Sequence, residues 1–244
     1  MTEKVALVTG GVKGIGRGIA LHLAQQGWSV VTCYRTSRAE ADSLTREIEG
    51  LGGRSLSIQA DVEHPAECEH LVESVMGWGH RIDALVHCVG PYHRADLLDE
   101  TVEGWREMFT ANLDSLFFLS RLIVPGMMDR KWGRIIAFTM ANADRLVAQT
   151  QVTAHYIAKL GVAALVRGLA KRTASCGVTV NAIAPGFIES GSADASELEE
   201  IIAGIPAGYV GDVKDAVSLA AFLLSDDARY INGASIPLSG AWGL

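Results

Sequence analysis

Gly10, Gly14 and Gly16 follow the apolar run Val5–Thr9 and open a segment of helical period. Glycine lets a backbone turn tightly and approach a ligand closely, and the helix that begins there offers free N–H groups and the positive end of its dipole. Such an arrangement binds anions, and its strand, turn and helix context points to the pyrophosphate of a dinucleotide. The spacing is not the plain G-x-G-x-x-G, because Ile19 stands three residues after Gly16. A second group able to do chemistry is His155-Tyr-Ile-Ala-Lys159. Residues four apart share a helix face, so His155 and Lys159 stand together, whereas Tyr156 is rotated about 100° away. An imidazole with an ordinary pKa of about 6.5 suits proton transfer near neutrality, and an ammonium one turn away lowers that pKa.

These groups need a scaffold, and the chain's rhythm supplies one. Short runs rich in Val and Ile alternate with longer stretches of helical period from end to end, the signature of repeated βαβ units. The pattern predicts strands over Val5–Thr9, Ser29–Tyr34, Ser55–Ala60, Ala84–Val89, Arg134–Thr139, Thr179–Ile183 and Ser235–Leu238. Helices are predicted over Gly16–Gln26, Arg38–Glu49, Pro65–Met76, Val102–Arg130, Thr153–Ser175 and Val213–Leu224. Strands apolar on both sides require cover on two faces, so the expectation is a single-domain α/β fold with a doubly wound, seven-stranded parallel sheet. The irregular stretches Pro91–Thr101, Ala141–Val152 and Pro185–Gly211 each follow a strand, where an open α/β sheet lines its ligand crevice. Residues 189–208 are expected to form a lid over the substrate.

Composition narrows the partners. The 244 residues are 49% hydrophobic, enough for one sizeable core. Against 28 Asp and Glu stand 21 Lys and Arg, a formal charge of −7, which disfavours nucleic acid. No run reaches the roughly 18 apolar residues that span a bilayer, so no membrane is expected. Cys33, Cys68, Cys88 and Cys176 form no C-x-x-C pair and no leader-like segment precedes the first strand, which suits a reduced, cytoplasmic protein. Cys88 reads as a small core residue more than as a reactive thiol.

The glycine loop also fits T-G-x-x-x-G-x-G, as Thr9, Gly10, Gly14 and Gly16, and here the chain resembles the short-chain dehydrogenase/reductase family, acyl-carrier-protein reductases included. The resemblance runs almost the whole length. Asp61-Val62 matches the family's adenine-contacting pair, Asn112 its helix asparagine, and Asn181-Ala-Ile-Ala-Pro185-Gly186-Phe-Ile188 the segment against the nicotinamide. It implies a Rossmann-type fold, a nicotinamide cofactor held by Gly10, Lys13, Gly14, Ile15, Gly16, Arg35, Asp61, Val62, Cys88, Gly90, Lys159, Pro185, Gly186 and Ile188, and a small-molecule substrate. No acidic residue ends the second strand, where it would bind a ribose 2′-hydroxyl and repel a 2′-phosphate. Arg35 stands there and Lys13 lies inside the loop, so NADP(H) is favoured over NAD(H). The alternative reading is that both are ordinary surface cations.

The resemblance breaks at the catalytic pattern. The family's Y-x-x-x-K implies a tyrosine four residues before the lysine, and that position holds His155. The serine that would assist it falls on Thr139-Met140, and Met140 donates no hydrogen bond. His87-Cys88-Val89-Gly90 replaces N-N-A-G. Asn112, His155 and Lys159 are therefore the candidate catalytic set. An imidazole falls short of a phenol oxygen by about 2 Å, and a misplacement of about 1 Å can cost a hundredfold in rate, so a bridging water or a loop donor is required. Two readings stay open: an NADP(H)-dependent reductase of a carbonyl or activated double bond, with His155 or a water it holds as proton source, and a catalytically impaired NADP(H)-binding sensor or partner subunit. Relatives pair the helices that here carry Leu116, Phe117, Leu119, Val162, Leu165 and Val166, which implies a homodimer or homotetramer. The same residues would also serve simply to cover the sheet.

Overall fold

The computed structural model describes residues 3–189 and 195–243. Nine strands and eight helices alternate along them. The strands are β1 (Val5–Thr9), β2 (Ser29–Tyr34), β3 (Ser55–Gln59), β4 (Ala84–His87), β5 (Gly133–Phe138), β6 (Val178–Pro185), β7 (Ile188–Glu189), β8 (Gly211–Asp212) and β9 (Ser235–Leu238). The helices are α1 (Gly14–Gln25), α2 (Arg38–Gly50), α3 (Pro65–Gly79), α4 (Val102–Phe109), α5 (Ser115–Asp129), α6 (Thr153–Thr173), α7 (Ala195–Ala203) and α8 (Val213–Leu224). Seven strands form one parallel sheet in the order β3-β2-β1-β4-β5-β6-β9. The strand order reverses between β1 and β4, and the crevice of such sheets opens there, beyond the carboxyl ends of the strands.

Successive strand residues point to opposite faces. Leu7, Val31, Leu85, Ile135 and Val180 join one core with Leu71 and Val75 of α3, Leu116 and Leu119 of α5, and Val162 and Val166 of α6. Ala6, Val8, Val86, Ile136 and Ile183 join the other with Ile19 and Leu23 of α1, Leu44 and Ile48 of α2, and Leu223 and Leu224 of α8. This double cover explains why the central strand runs are mostly apolar on both faces. Local signals set the helix ends: Pro65 occupies the first turn of α3, the Thr101 hydroxyl caps α4 by accepting from Gly104 N at 2.9 Å, and Asp212 and Asp215 form a reciprocal capping box on α8.

The seven-stranded doubly wound architecture agrees with the sequence, while many element ends shift by one to three residues, α3 for example running to Gly79 and β6 to Pro185. The helix expected over Val102–Arg130 is α4 and α5 joined by a π-turn at Thr110–Asp114. The strand expected to reach Val89 ends at His87, because the chain turns away to pass the glycine loop. The helix expected to reach Ser175 ends at Thr173 and tightens into a 3-10 turn over Ala174–Cys176. The segment expected to be an irregular lid contains α7, and short strands β7 and β8 pair with each other at its base; residues 190–194 of that lid lie outside the described residues. Of the apolar residues considered for assembly, Leu116, Leu119, Val162 and Val166 are buried against the sheet, while Phe117 is half-exposed. No described helix is long and apolar enough to cross a membrane.

Candidate active site

The glycine loop carries the close contacts that its residue types foretell. Gly10 has φ +62°, and a Cβ there would sit 3.2 Å from the backbone of both Cys88 and Val89. A Cβ on Gly16 would stand 2.5 Å from Gly10 O. The loop is thereby pressed onto the end of β4, with Cys88 N donating to Thr9 O at 3.1 Å. Beside it lies a cavity of about 300 Å³ lined by Gly10, Val12, Lys13, Tyr34, Arg35, Ser37, Asp61, Val62, Gly90 and Pro91, among others. A helix N-terminus, a glycine cradle and two cations on one cavity wall are a donor set that fits a dinucleotide. Gly14 opens α1 at φ +49°, and Ile15 packs against the second core.

Both cations are engaged. Lys13 Nζ pairs with Glu40 at 2.8 Å, and Arg35 Nη1 with Glu63 at 2.9 Å, Asp61 lying 4.0 Å away. Burial and the neighbouring Asp61 hold the Glu63 carboxyl above its ordinary range. Sequence reasoning counted the cations and missed these acids, which lie far along the chain and carry no spacing signal. Asp61 Oδ1 accepts from Glu63 N at 3.1 Å, and Val62 is buried. Pro185 O accepts from Ala141 N, Gly186 N donates to Leu238 O, and a Cβ on Gly186 would stand 2.9 Å from Ser239 Cβ. Ile188 is half-buried at the start of the β7–β8 pair.

The predicted catalytic residues converge beyond Gly90. A Cβ on Gly90 would stand 2.7 Å from Asn112 Oδ1 and 2.9 Å from Lys159 Nζ, so only glycine leaves room for both. Asn112 Nδ2 donates to Pro91 O at 3.2 Å and to Met108 O at 2.9 Å, while its buried Oδ1 has no partner. Lys159 Nζ donates to Phe138 O at 2.8 Å, and burial pushes its pKa down to about 8. His155 Nδ1 meets the same Pro91 O at 3.1 Å. Burial, then the Lys159 ammonium and His93, hold the imidazole neutral, down to about 4, against a small opposing effect of the Pro91 hydrogen bond. Tyr92 packs edge-on against the ring, with centroids 5.2 Å apart.

One expectation is corrected by this geometry. A carbonyl only accepts, so the one N–H of neutral His155 is on Nδ1 and is spent on Pro91. Nε2 presents a lone pair, with no hydrogen bond to any described residue, and direct proton donation from the neutral ring is closed. Thr139, the neighbour of Met140 at the end of β5, faces the opposite side as strand alternation requires: its hydroxyl contacts Ile183 O at 3.3 Å and Ser235 Oγ at 3.0 Å. Tyr156 also points elsewhere, as its helical position requires. Its hydroxyl donates to Arg145 O and accepts from Val147 N at 3.0 Å, tying down the loop after β5.

That loop is joined to the one after β4. Ala95 N donates to Gln151 O at 3.0 Å, Leu97 N to Thr150 O at 2.9 Å, and Gln151 Nε2 to Asp96 Oδ2 at 2.9 Å. Among the polar residues of these loops, His93 is paired with Glu100 at 2.8 Å, and Arg94 and Arg145 are exposed. Cys88 is half-buried against the second core, and burial pushes its thiol up to about 12, so it is neutral. All four cysteines are free.

Fold and site together describe a doubly wound dinucleotide-binding oxidoreductase architecture with its polar groups at the switch point of the sheet. Residues 10–240 match a family model described as enoyl-(acyl carrier protein) reductase. A 3-oxoacyl-(acyl-carrier-protein) reductase of Synechocystis sp. is 34% identical over 241 residues, which cover 98% of this chain and 97% of that protein. The FabG protein of the same name from Staphylococcus aureus is 35% identical over 240 residues, 97% of each chain. The crystal structure of gox2181 superposes with a TM-score of 0.91 at 28% identity, over 99% of this chain and 96% of that one. The chain belongs to the short-chain dehydrogenase/reductase family of oxidoreductases.

Proposed function

We propose that the chain is an NADP(H)-dependent reductase of a carbonyl or activated double bond, with a water held by His155 delivering the proton. The observation that carries this reading is the convergence of Lys159 Nζ and Asn112 Oδ1 on Gly90, with His155 sharing the Pro91 carbonyl beside them. When bound, the cofactor supplies the hydride. Lys13 and Arg35 would receive its 2′-phosphate, since exposed ion pairs are weak and screened by solvent and yield to a stronger anion. Gly10, Gly14, Ile15 and Gly16 cradle the pyrophosphate, Asp61, Val62 and Cys88 line the adenosine side, and Pro185, Gly186 and Ile188 flank the nicotinamide. Lys159 holds the ribose, while Asn112 Oδ1 offers a buried acceptor next to it.

Water solves the problem that the imidazole poses. It donates one hydrogen to the Nε2 lone pair and gives the other to the substrate oxygen, spanning the roughly 2 Å by which imidazole falls short of a phenol. Because the neutral ring has no free N–H to return, the hydroxide so formed takes its proton from bulk solvent. Residues 189–208 close over the substrate, and two or four copies assemble through the outer face around Phe117.

The relatives' names make 3-oxoacyl thioesters the first carbonyl compounds to offer. NADPH oxidation is followed for the wild type, His155→Tyr and Lys159→Ala. Turnover by the wild type that is lost in Lys159→Ala supports the reading. A wild type silent with every carbonyl, beside a His155→Tyr variant that gains activity, overturns it in favour of a cofactor-binding protein without turnover. A monomeric mass by light scattering at micromolar concentration refutes the assembly.

A further inference from the structure

We propose that His87 is a positioning residue that holds the π-turn displaying Asn112, a role that rests on Asn112 belonging to the site proposed above. His87 ends β4, is 2% exposed, and its ring spans two neighbouring elements. Nδ1 lies 2.9 Å from Thr9 Oγ1, on the last residue of β1, and Nε2 lies 3.0 Å from Ser115 Oγ, on the first residue of α5.

The direction of each bond follows from its neighbours. Ser115 Oγ donates to Ala111 O at 2.6 Å, and a hydroxyl has one hydrogen. Ser115 must therefore accept from His87 Nε2–H, and the neutral ring must accept from the Thr9 hydroxyl at Nδ1. Burial and then the Lys159 ammonium hold His87 down to about 3, so the ring stays neutral and both roles are fixed. The result is a one-way chain from Thr9 through His87 and Ser115 to Ala111.

Its last link explains the irregular helix. Ser115 N–H donates five residues back to Thr110 O, in the π register, and not four back to Ala111 O. The Ser115 hydroxyl takes the Ala111 carbonyl instead, replacing the bond that an α-turn would have made. His87 fixes the rotor of that hydroxyl. Asn112 stands inside this turn, with Nδ2 on Pro91 O and Met108 O and its orphan Oδ1 beside Gly90 and Lys159. If the turn reverted to α geometry, Asn112 would be carried off this position. Through Thr9 the same ring ties the turn to the strand that enters the glycine loop, so the two halves of the site keep one register.

Three variants separate this role from packing. His87→Gln keeps an acceptor toward Thr9 and a donor toward Ser115, His87→Phe keeps bulk without either, and Ser115→Ala removes only the hydroxyl. Turnover with NADPH is measured for each, alone and combined with Asn112→Ala. The side-chain amide resonance of Asn112, assigned by its loss in Asn112→Ala, is followed by NMR in the same proteins. The expected result is a roughly hundredfold fall in kcat for His87→Phe and Ser115→Ala, recovery in His87→Gln, and no further fall when either is added to Asn112→Ala. The Asn112 resonance should shift in His87→Phe and Ser115→Ala and hold in His87→Gln. Additive losses with Asn112→Ala, or an Asn112 resonance unmoved by Ser115→Ala, overturn the proposal. If the wild type shows no turnover, the reductase reading fails alone, and the resonance still decides the positioning role.

Discussion

Acidification from pH 7 to pH 5 is expected to destabilise the fold through two imidazoles. His87 is held down to about 3 and His155 to about 4, both chiefly by burial, with the Lys159 ammonium adding to each. An unfolded histidine titrates at about 6.5, so at pH 5 the unfolded chain binds protons that the folded chain refuses. Stability is thus fully present above about 6.5 and falls as pH drops toward the folded values. Integrating that difference between pH 7 and pH 5 gives about 2 kcal/mol for each ring and about 4 kcal/mol for the pair. Urea unfolding at both pH values isolates these contributions when the wild type is set beside His87→Gln and His155→Gln, because the carboxylates titrate alike in all three. Each variant should lose about 2 kcal/mol less than the wild type over this interval. If the variants lose as much as the wild type, the rings are not neutral in the folded chain, and the hydrogen-bond directions assigned to both histidines fall with that premise.

Gly90→Ala would place a methyl 2.7 Å from Asn112 Oδ1 and 2.9 Å from Lys159 Nζ, and should cost about 1–3 kcal/mol in thermal unfolding and roughly a hundredfold in turnover; Gly50→Ala, which meets nothing within 4 Å, serves as the control. Tyr156→Phe should cost about 1 kcal/mol, raise hydrogen exchange over residues 145–147 and leave NADPH affinity unchanged; loss of turnover there without loss in His155 variants would reverse the assignment of the two positions. Lys13→Ser and Arg35→Ser should each weaken NADPH by about tenfold, near 1.4 kcal/mol, and leave NADH unaffected in a fluorescence titration. Equal effects on the two cofactors would show that neither side chain meets the 2′-phosphate.

Much of the scaffold was legible because it depends on short-range periodicity. A strand covered on both faces is mostly apolar, and Val5–Thr9 and Ser29–Tyr34 coincide with β1 and β2. The separation of His155 from Tyr156 was legible for the same reason, since one residue on a helix is a rotation of about 100°. What escaped the sequence depends on partners far along the chain. The π-turn interrupts an apolar pattern that runs straight through it, and Ser115 holds it by a bond to Ala111 that helical periodicity does not express. His87 ends an otherwise apolar run, a visible anomaly, but its partners Thr9 and Ser115 lie 78 and 28 residues away. Glu40 and Glu63 likewise reach the two cations only through the folded sheet. The tautomer of His155 depends on a backbone oxygen 64 residues upstream, which no residue type announces.

The backbone bonds that stitch residues 95 and 97 to 150 and 151 make the loops after β4 and β5 a single rigid jaw, anchored by the Tyr156 hydroxyl at its hinge. Reshaping such a jaw for compounds of different length would break these bonds. Breadth of substrate range would have to come from the segment proposed to cover the substrate, residues 189–208, so exchanging that segment between relatives should retune selectivity while the proton-handling geometry stays where it is.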